Sequence, residues 1–185
     1  VHNNGGNFYS RANAFSQMGF DNFTSKEMMD ITEYTPLGTW PTDDILVNEV
    51  AKALDATPQQ DFIYTITVQG HGAYPTDKVI ENPEISVTGA DSEEANNEWE
   101  YYVNEIHEVD KFIANLTTML SQRDEKTVVV FFGDHLPTIG LEDSDMKSGS
   151  IFKTRYVTWN NFGMEKIDRD ITSSQLLAAV TDQLG

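Results

Sequence analysis

The sequence contains no cysteine, and this absence excludes several kinds of site at once. Without thiols the chain has no disulfide framework, no thiolate ligand for a metal and no cysteine nucleophile. Its stability must therefore come from a hydrophobic core. At 185 residues, of which 39% are hydrophobic, the chain has the length and composition of one globular domain or a large part of one.

Basic residues are scarce as well. The sequence has 12 Lys and Arg residues against 30 Asp and Glu residues, which gives a formal net charge of -18. Nucleic acids and anionic membrane surfaces would repel such a chain, and no cluster of Lys or Arg reverses the sign locally. We therefore expect no nucleic-acid partner and a largely solvated acidic surface.

Long hydrophobic runs are also missing. The longest, at residues 63–68 and 128–132, are far shorter than the roughly 20 residues that a membrane-spanning helix requires. No signal peptide is visible at the first residues. The apolar segments that are present have the lengths of buried strands and of amphipathic helices.

Strands and helices alternate along the chain. Residues 62–68 and 127–132 are short β-branched and aromatic runs, each ending near a glycine, and they predict buried strands. Between them, residues 91–122 keep a 3.6-residue apolar period and begin with a helix-start pattern. This order predicts a right-handed crossover in a mainly parallel sheet, and therefore an α/β fold. Further helices are predicted at residues 10–18, 45–54 and 172–185, and a further strand at 155–161.

The carboxyl ends of the predicted strands carry the polar residues. In open α/β sheets ligands bind at these ends, and here His71 follows one strand while Asp134 and His135 follow another. A carboxylate and an imidazole suit Mn²⁺, Zn²⁺ or Mg²⁺. Two ligands do not complete a metal site, so a hydrogen-bonded turn is the alternative for this pair. For His71 the alternative is a loop imidazole without a function.

The N-terminal stretch adds a second group of polar residues. His2, Tyr9 and Arg11 lie in a segment rich in glycine and asparagine. Arginine presents a planar fork of donors to a phosphate or sulfate, and a phenol and an imidazole beside it can hydrogen-bond the same ligand. A surface loop that happens to hold one arginine is the alternative interpretation.

These pieces occur in a recognisable order. The motifs are "HNNGGNFYSR", "WPTDD", "TVQGHGAY", "VVVFFGDHLP" and "RYVTWNNF". Together they resemble the extracellular catalytic domain of the lipoteichoic acid synthase and phosphoglycerol transferase family, within the sulfatase and alkaline phosphatase superfamily. The most specific parts are "GDHLP" after a buried strand and the spacing of His2 to Arg11. The resemblance implies an α/β/α sandwich with a mainly parallel sheet, in which residues 1–185 are the C-terminal portion of the catalytic domain and its N-terminal part is absent.

The resemblance also implies roles for individual residues. Asp134 and His135 match the ligands of a single divalent metal, Mn²⁺ first, with Mg²⁺ and Zn²⁺ as alternatives. His71 matches a residue that binds the substrate headgroup. The same headgroup is implied to contact three residues of the first loop, which are His2, Tyr9 and Arg11. The family usually has tryptophan at the position of Tyr9 and often asparagine at that of Gly70, so this chain departs from the pattern within the headgroup pocket.

The implied activity is the metal-dependent transfer of a phosphoglycerol group. The donor would be a lipid headgroup phosphodiester such as phosphatidylglycerol, and the acceptor a glycerol-phosphate polymer or a glycolipid. The family's nucleophilic threonine and a metal-binding glutamate lie upstream of the segment that begins here with His2. We therefore expect no catalytic nucleophile in this chain and no activity from the chain alone. The upstream half of the same protein would supply both residues, together with transmembrane helices that anchor it at the extracellular face of the membrane.

Three alternatives are open. A sulfatase of the same superfamily would have a modified Cys or Ser as its upstream nucleophile, and a phosphoethanolamine transferase would usually bind zinc. A non-catalytic module that binds the headgroup would bind without turnover. A plain acidic structural domain would bind neither metal nor anion.

Overall fold

The computed structural model describes all of residues 1–185, and helices dominate it. The helices are α1 (Arg11–Gln17), α2 (Ile45–Ala56), α3 (Glu93–Ser121) and α4 (Leu176–Leu184), and the strands are β1 (Val128–Phe132) and β2 (Tyr156–Asn160). Single 3₁₀ turns occur at Phe8–Ser10, Lys26–Met28, Asp143–Asp145 and Ser173–Gln175. The helices predicted at 10–18, 45–54, 91–122 and 172–185 are all present within a few residues. None of them combines the length and the apolar character that crossing a bilayer demands.

Helix α3 begins where a cap and the helix dipole both favour it. Ser92 has an extended backbone, and its side chain accepts a hydrogen bond of 3.1 Å from the amide of Ala95. Glu93 and Glu94 occupy the first turn, where negative charge is stabilising. The cap is thus one residue later than Asp91, at which the sequence pattern starts.

The hydrophobic core lies between α2, α3 and one face of the sheet. Helix α2 contributes Leu46 and Val50, and α3 contributes a stripe of buried residues at helical spacing. Residues from both strands pack against this cluster from the other side. The core consists of Met29, Leu46, Val50, Phe112, Leu116 and Leu120, with Val129, Phe131 and Trp159 of the sheet partly buried against it.

The only regular ladder is antiparallel. β1 pairs with β2 in the register Val128↔Asn160 through Phe132↔Tyr156. The predicted strands at 127–132 and 155–161 are therefore present, but they pair with each other. A mainly parallel sheet is not formed by residues 1–185, where parallel pairing is limited to two single bridges, from His2 to Ser25 and to Ile66.

The strand predicted at residues 62–68 is wrong. The segment is extended, but only Ile66 forms a bridge, and its neighbours along the chain have no partner strand. The amide of Ile66 donates to the Val1 carbonyl at 3.0 Å, and the Val1 amino group donates to the Tyr64 carbonyl at 2.8 Å. A strand needs a partner along its length, and β1, which the crossover was expected to place beside it, is paired with β2 instead.

Candidate functional site

His2 is the buried centre of the first group of predicted site residues. Its side chain is 1% exposed, and its Nδ1 lies 2.8 Å from the Ile66 carbonyl oxygen. Because a carbonyl oxygen only accepts, Nδ1 carries the proton in this bond and Nε2 is left as an acceptor. Burial lowers the pKa of His2, which favours this neutral ring.

Arg11 is oriented by that acceptor. Its Nη1 donates to Nε2 of His2 at 2.8 Å. The guanidinium carbon also lies 5.3 Å from the centre of the Tyr9 ring and 5.6 Å from that of Phe8, which is cation–π range. Both ring nitrogens of His2 are thus engaged, so in this arrangement His2 holds Arg11 in place, and Arg11 keeps its other N–H groups for a ligand.

A tight turn brings Arg11 back onto His2. Tyr9 and Ser10 both have left-handed backbones, with φ of 53° and 54°, a conformation that costs non-glycine residues about 1–2 kcal/mol each. The turn leaves the Tyr9 ring 77% exposed beside the guanidinium. Upstream of it, a Cβ at Gly6 would lie 2.8 Å from the Ser25 hydroxyl oxygen, so glycine is required for this close approach.

His71 and His135 form the second group. Their ring centroids are 6.2 Å apart and nearly perpendicular, although 64 residues separate them in the sequence. His71 Nδ1 is 2.6 Å from the Gly72 carbonyl oxygen, and His135 Nδ1 is 2.8 Å from that of Leu136. In each ring Nδ1 is therefore the protonated nitrogen, and Nε2 is left as an acceptor. Both rings are exposed where their two loops meet.

Asp134 and His135 fit two positions of a divalent cation site. Asp134 Oδ1 lies 3.8 Å from His135 Nε2, and the two side chains are 84% and 58% exposed. A backbone carbonyl that accepts from Nδ1, as Leu136 does here, is a common means of orienting a metal-binding imidazole. No group of three or more His, Asp or Glu side chains in residues 1–185 is arranged to hold a metal ion. The pair therefore offers two ligands rather than a complete set.

One segment of the chain connects the two groups. Ile66 contacts His2, and five residues further along the same segment is His71. At about 3.3–3.6 Å per extended residue, the Cα atoms of Ile66 and His71 are at most roughly 18 Å apart. The structure thus brings His2, Tyr9 and Arg11 together, and His71 and His135 together, and residues 66–71 link the first set to the second.

Trp40 and Gly70 shape the loop that carries His71. The Trp40 indole Nε1 donates to the His71 carbonyl oxygen at 3.0 Å, and its ring centre is 5.4 Å from that of His71. A Cβ at Gly70 would lie only 3.1 Å from Cδ1 of Ile106 in α3. Glycine at this position therefore lets the loop rest against the helix.

A buried polar network lies beneath both groups, and sequence reasoning missed it. Asp43 has no exposed surface, and its Oδ1 accepts from Asn3 Nδ2 at 2.8 Å, from the Val68 amide at 3.0 Å and from the Gln69 amide at 3.3 Å. The Gln69 side chain then donates to Glu105 Oε2 at 3.1 Å. An aspartate just before a helix normally predicts an N-cap, so nothing local in "WPTDD" distinguishes a buried hub from a cap.

Comparison with known proteins decides the family. A model of the sulfatase family matches residues 1–185, the whole of the chain. The chain belongs to the sulfatase family. This confirms the family that the ordered motifs predicted.

Three known proteins that this chain resembles are each longer than the chain. It is 30% identical over 139 residues to a cyclic beta-1,2-glucan modification protein of Rhizobium meliloti (strain 1021), which covers 75% of this chain and 21% of that protein. It matches the phosphoglycerol transferase GacH of Streptococcus pyogenes, solved in complex with sn-glycerol-1-phosphate, with a TM-score of 0.81 and 26% identity over 98% of this chain and 48% of GacH. The lipoteichoic acid synthase LtaP of Listeria monocytogenes has the same fold, with a TM-score of 0.59 and 22% identity over 85% of this chain and 41% of LtaP. The chain thus spans less than half the length of each of these proteins.

Glu105 is expected to make the stability of this sulfatase-family chain depend on pH. Burial raises its pKa from 4.5 to about 7, nearby carboxylates of Glu108 and Asp43 add to the shift, and the Gln69 hydrogen bond opposes it. Because the folded-state pKa lies above the unfolded value, this stabilisation is complete below about pH 4.5 and is lost as the pH rises through about 7. The free energy of unfolding, measured by urea denaturation, should fall over that interval by up to about 1.4 kcal/mol per pH unit more than in Glu105→Gln.

A matched control for this titration is Asp110→Asn, because Asp110 is an exposed carboxylate of the same helix that does not contribute to the shift at Glu105. That variant should keep the wild-type slope. Equal slopes in the wild type and in Glu105→Gln would contradict the assignment.

Proposed function

We propose that this chain is the C-terminal portion of the catalytic domain of a phosphoglycerol transferase at the extracellular face of the cell membrane. Support comes from one arrangement: the segment that contacts His2, which fixes the Arg11 guanidinium, also carries His71 to the Asp134–His135 pair. The likeness to GacH, a phosphoglycerol transferase solved with sn-glycerol-1-phosphate, covers almost the whole chain and points to the same substrate class.

The reaction would run in two steps. A threonine hydroxyl in the upstream half of the protein attacks the phosphorus of a donor such as phosphatidylglycerol, and diacylglycerol leaves with a proton. The glycerophosphoryl group is then transferred from threonine to a hydroxyl of a glycerol-phosphate polymer or glycolipid, and the threonine hydroxyl is regenerated. The donor and the diacylglycerol product are both membrane lipids, which fits a protein that is held at the membrane by helices outside residues 1–185.

In this scheme the residues of this chain bind and orient the headgroup. Arg11 directs its remaining N–H groups to phosphoryl oxygens, and His2 prevents it from adopting other rotamers. His71 offers its Nε2 as an acceptor to a glycerol hydroxyl. Tyr9, with its ring exposed beside Arg11, covers the glycerol moiety. Fixed donors of this kind stabilise charge on the transferred group without reorganising during the reaction.

Asp134 and His135 would hold one divalent cation, Mn²⁺ or alternatively Mg²⁺ or Zn²⁺, with the other ligands coming from the upstream half of the protein. When bound, the cation supplies a Lewis acid that neutralises phosphoryl charge and makes a hydroxyl a better nucleophile. A cation and one arginine close to the substrate outweigh the net charge of -18, because salt screens surface carboxylates beyond about 10 Å.

In the full-length protein the sheet would be larger than the one that residues 1–185 form by themselves. β1 is apolar along its whole length, as in strands covered on both faces, yet only Val129 and Phe131 pack on the core. On the opposite face Phe132 is 47% exposed. The upstream half of the protein would cover this face and complete the mainly parallel sheet of an α/β/α sandwich.

The test uses the full-length protein with phosphatidylglycerol vesicles and Mn²⁺. We expect release of diacylglycerol that EDTA abolishes and Mn²⁺ restores. Turnover of an aryl sulfate instead would indicate a sulfatase, and preference for phosphatidylethanolamine would indicate a phosphoethanolamine transferase. Binding of sn-glycerol-1-phosphate without turnover of any donor would indicate a non-catalytic headgroup-binding module, and metal-independent turnover would contradict the proposed site.

A further inference from the structure

We propose that residues 40–43, here termed the 40–43 bracket, position the two headgroup-binding segments relative to each other, and that Asp43 is the positioning residue on which this depends. The inference rests on the proposed function, because it concerns how the headgroup site is assembled. Its evidence is a set of hydrogen bonds that join residues 40–43 to both segments.

The bracket holds the His71 loop at two points, its start and its tip. At the start of the loop, Asp43 Oδ1 accepts from the amides of Val68 and Gln69, and the Gln69 side-chain oxygen accepts from the Asp43 amide at 2.8 Å. At its tip, Trp40 donates to the carbonyl oxygens of His71 at 3.0 Å and Gly72 at 3.3 Å. The loop is therefore fixed by backbone contacts on either side of the histidine.

The same bracket holds the His2 segment. Asn3 Nδ2 donates to Asp43 Oδ1 at 2.8 Å and to the Thr42 carbonyl oxygen at 3.2 Å. Asn3 is adjacent to His2, which in turn orients Arg11. One carboxylate oxygen thus ties the segment that carries His2 to the segment that carries His71, although these segments are more than 60 residues apart in the sequence.

Stability alone gives a poor account of Asp43. A buried carboxylate is costly, and burial raises its pKa. In addition, its Oδ2 and the Oδ1 of Asn3 are buried without hydrogen-bond partners. A well-packed apolar residue would avoid both costs, whereas only an acceptor can receive two backbone amides and one side-chain amide at one point. The arrangement therefore indicates that the role of Asp43 is to fix the two segments relative to each other.

The test compares Asp43→Ala, Asp43→Asn and Asp44→Ala in the full-length protein. Asp44 is the matched control, because it is the next residue, is exposed, and its side chain is hydrogen-bonded only to Asn115 on the surface of α3. Asp43→Ala should raise KM for phosphatidylglycerol, and Kd for sn-glycerol-1-phosphate, by about tenfold to a hundredfold with a smaller change in kcat. Asp43→Asn keeps an acceptor oxygen and should recover most of the affinity, and Asp44→Ala should behave as the wild type.

Hydrogen exchange gives a second readout that does not depend on the reaction. In Asp43→Ala, amides of residues 1–5 and 66–74 should exchange faster together, while the α3 amides keep wild-type rates. Should Asp43→Ala not fold, Trp40→Phe removes only the indole donor and is expected to raise KM and to speed exchange at residues 70–74. Wild-type KM and wild-type exchange in folded Asp43→Ala would overturn the inference. If the wild-type protein binds no sn-glycerol-1-phosphate, the proposed function fails, and the exchange pattern alone decides whether the bracket couples the two segments.

Discussion

Alanine at Asp134 or at His135 is expected to abolish turnover by the full-length protein, lowering kcat/KM by about a thousandfold or more. Each side chain is exposed, and neither is part of the core, so the loss should not come from unfolding. The metal content per protein, measured by mass spectrometry after desalting, should fall in parallel with activity. Thermal unfolding in EDTA should be close to that of the wild type.

Asp124→Ala is a suitable control for these variants. Asp124 is an exposed carboxylate before the other end of β1, away from the loop that carries His135. Its loss should change neither metal content nor kcat/KM. Wild-type activity in Asp134→Ala, or activity that survives removal of all divalent metal, would rule out the proposed metal site.

Alanine at Arg11 is expected to weaken binding of sn-glycerol-1-phosphate by about tenfold to a hundredfold, the usual loss for a charge-assisted hydrogen bond. The metal content should stay unchanged, because Arg11 lies with His2 and Tyr9 rather than with Asp134. Arg11→Lys should recover little, since an ammonium cannot both donate to His2 and present a planar fork to the phosphate. Isothermal titration calorimetry would measure the affinities.

Arg123→Ala provides the control for loss of positive charge. Arg123 lies beyond the end of α3, and its side chain is hydrogen-bonded to Asp55 at 2.7 Å rather than to the His2 segment. It should bind sn-glycerol-1-phosphate as the wild type does. Equal weakening in both variants would mean that Arg11 acts only through net charge, and unchanged affinity in Arg11→Ala would remove it from the site.

The helices were predictable because their signals are local. In α3 the apolar period, Ser92 and two glutamates in the first turn all lie within the helix or next to it. The sheet was only partly predictable, since β propensity identifies an extended segment but not its partner. Residues 62–68 have the composition of a buried strand, yet their pairing is decided by residues 1–2, which carry no signal of it.

The candidate site divides in the same way. Asp134 and His135 are adjacent in the sequence, and His2 and Arg11 lie nine residues apart, so their proximity followed from spacing. The contact between the His71 and His135 rings depended on two loops meeting in space. Asp43 was not predictable, because its hydrogen-bond partners are 25 to 40 residues away in the sequence.

Position 70 is coupled to position 106 by a close contact. Any side chain at Gly70 would bring its Cβ to 3.1 Å from Ile106 Cδ1, so that the isoleucine side chain must shift by a few tenths of an ångström. Ile106 is 40% exposed and lies outside the core cluster, which makes a smaller residue there inexpensive. The two positions are therefore expected to be epistatic. An asparagine at position 70 should cost less stability when residue 106 is already shortened, so the effects of the two substitutions should not be additive.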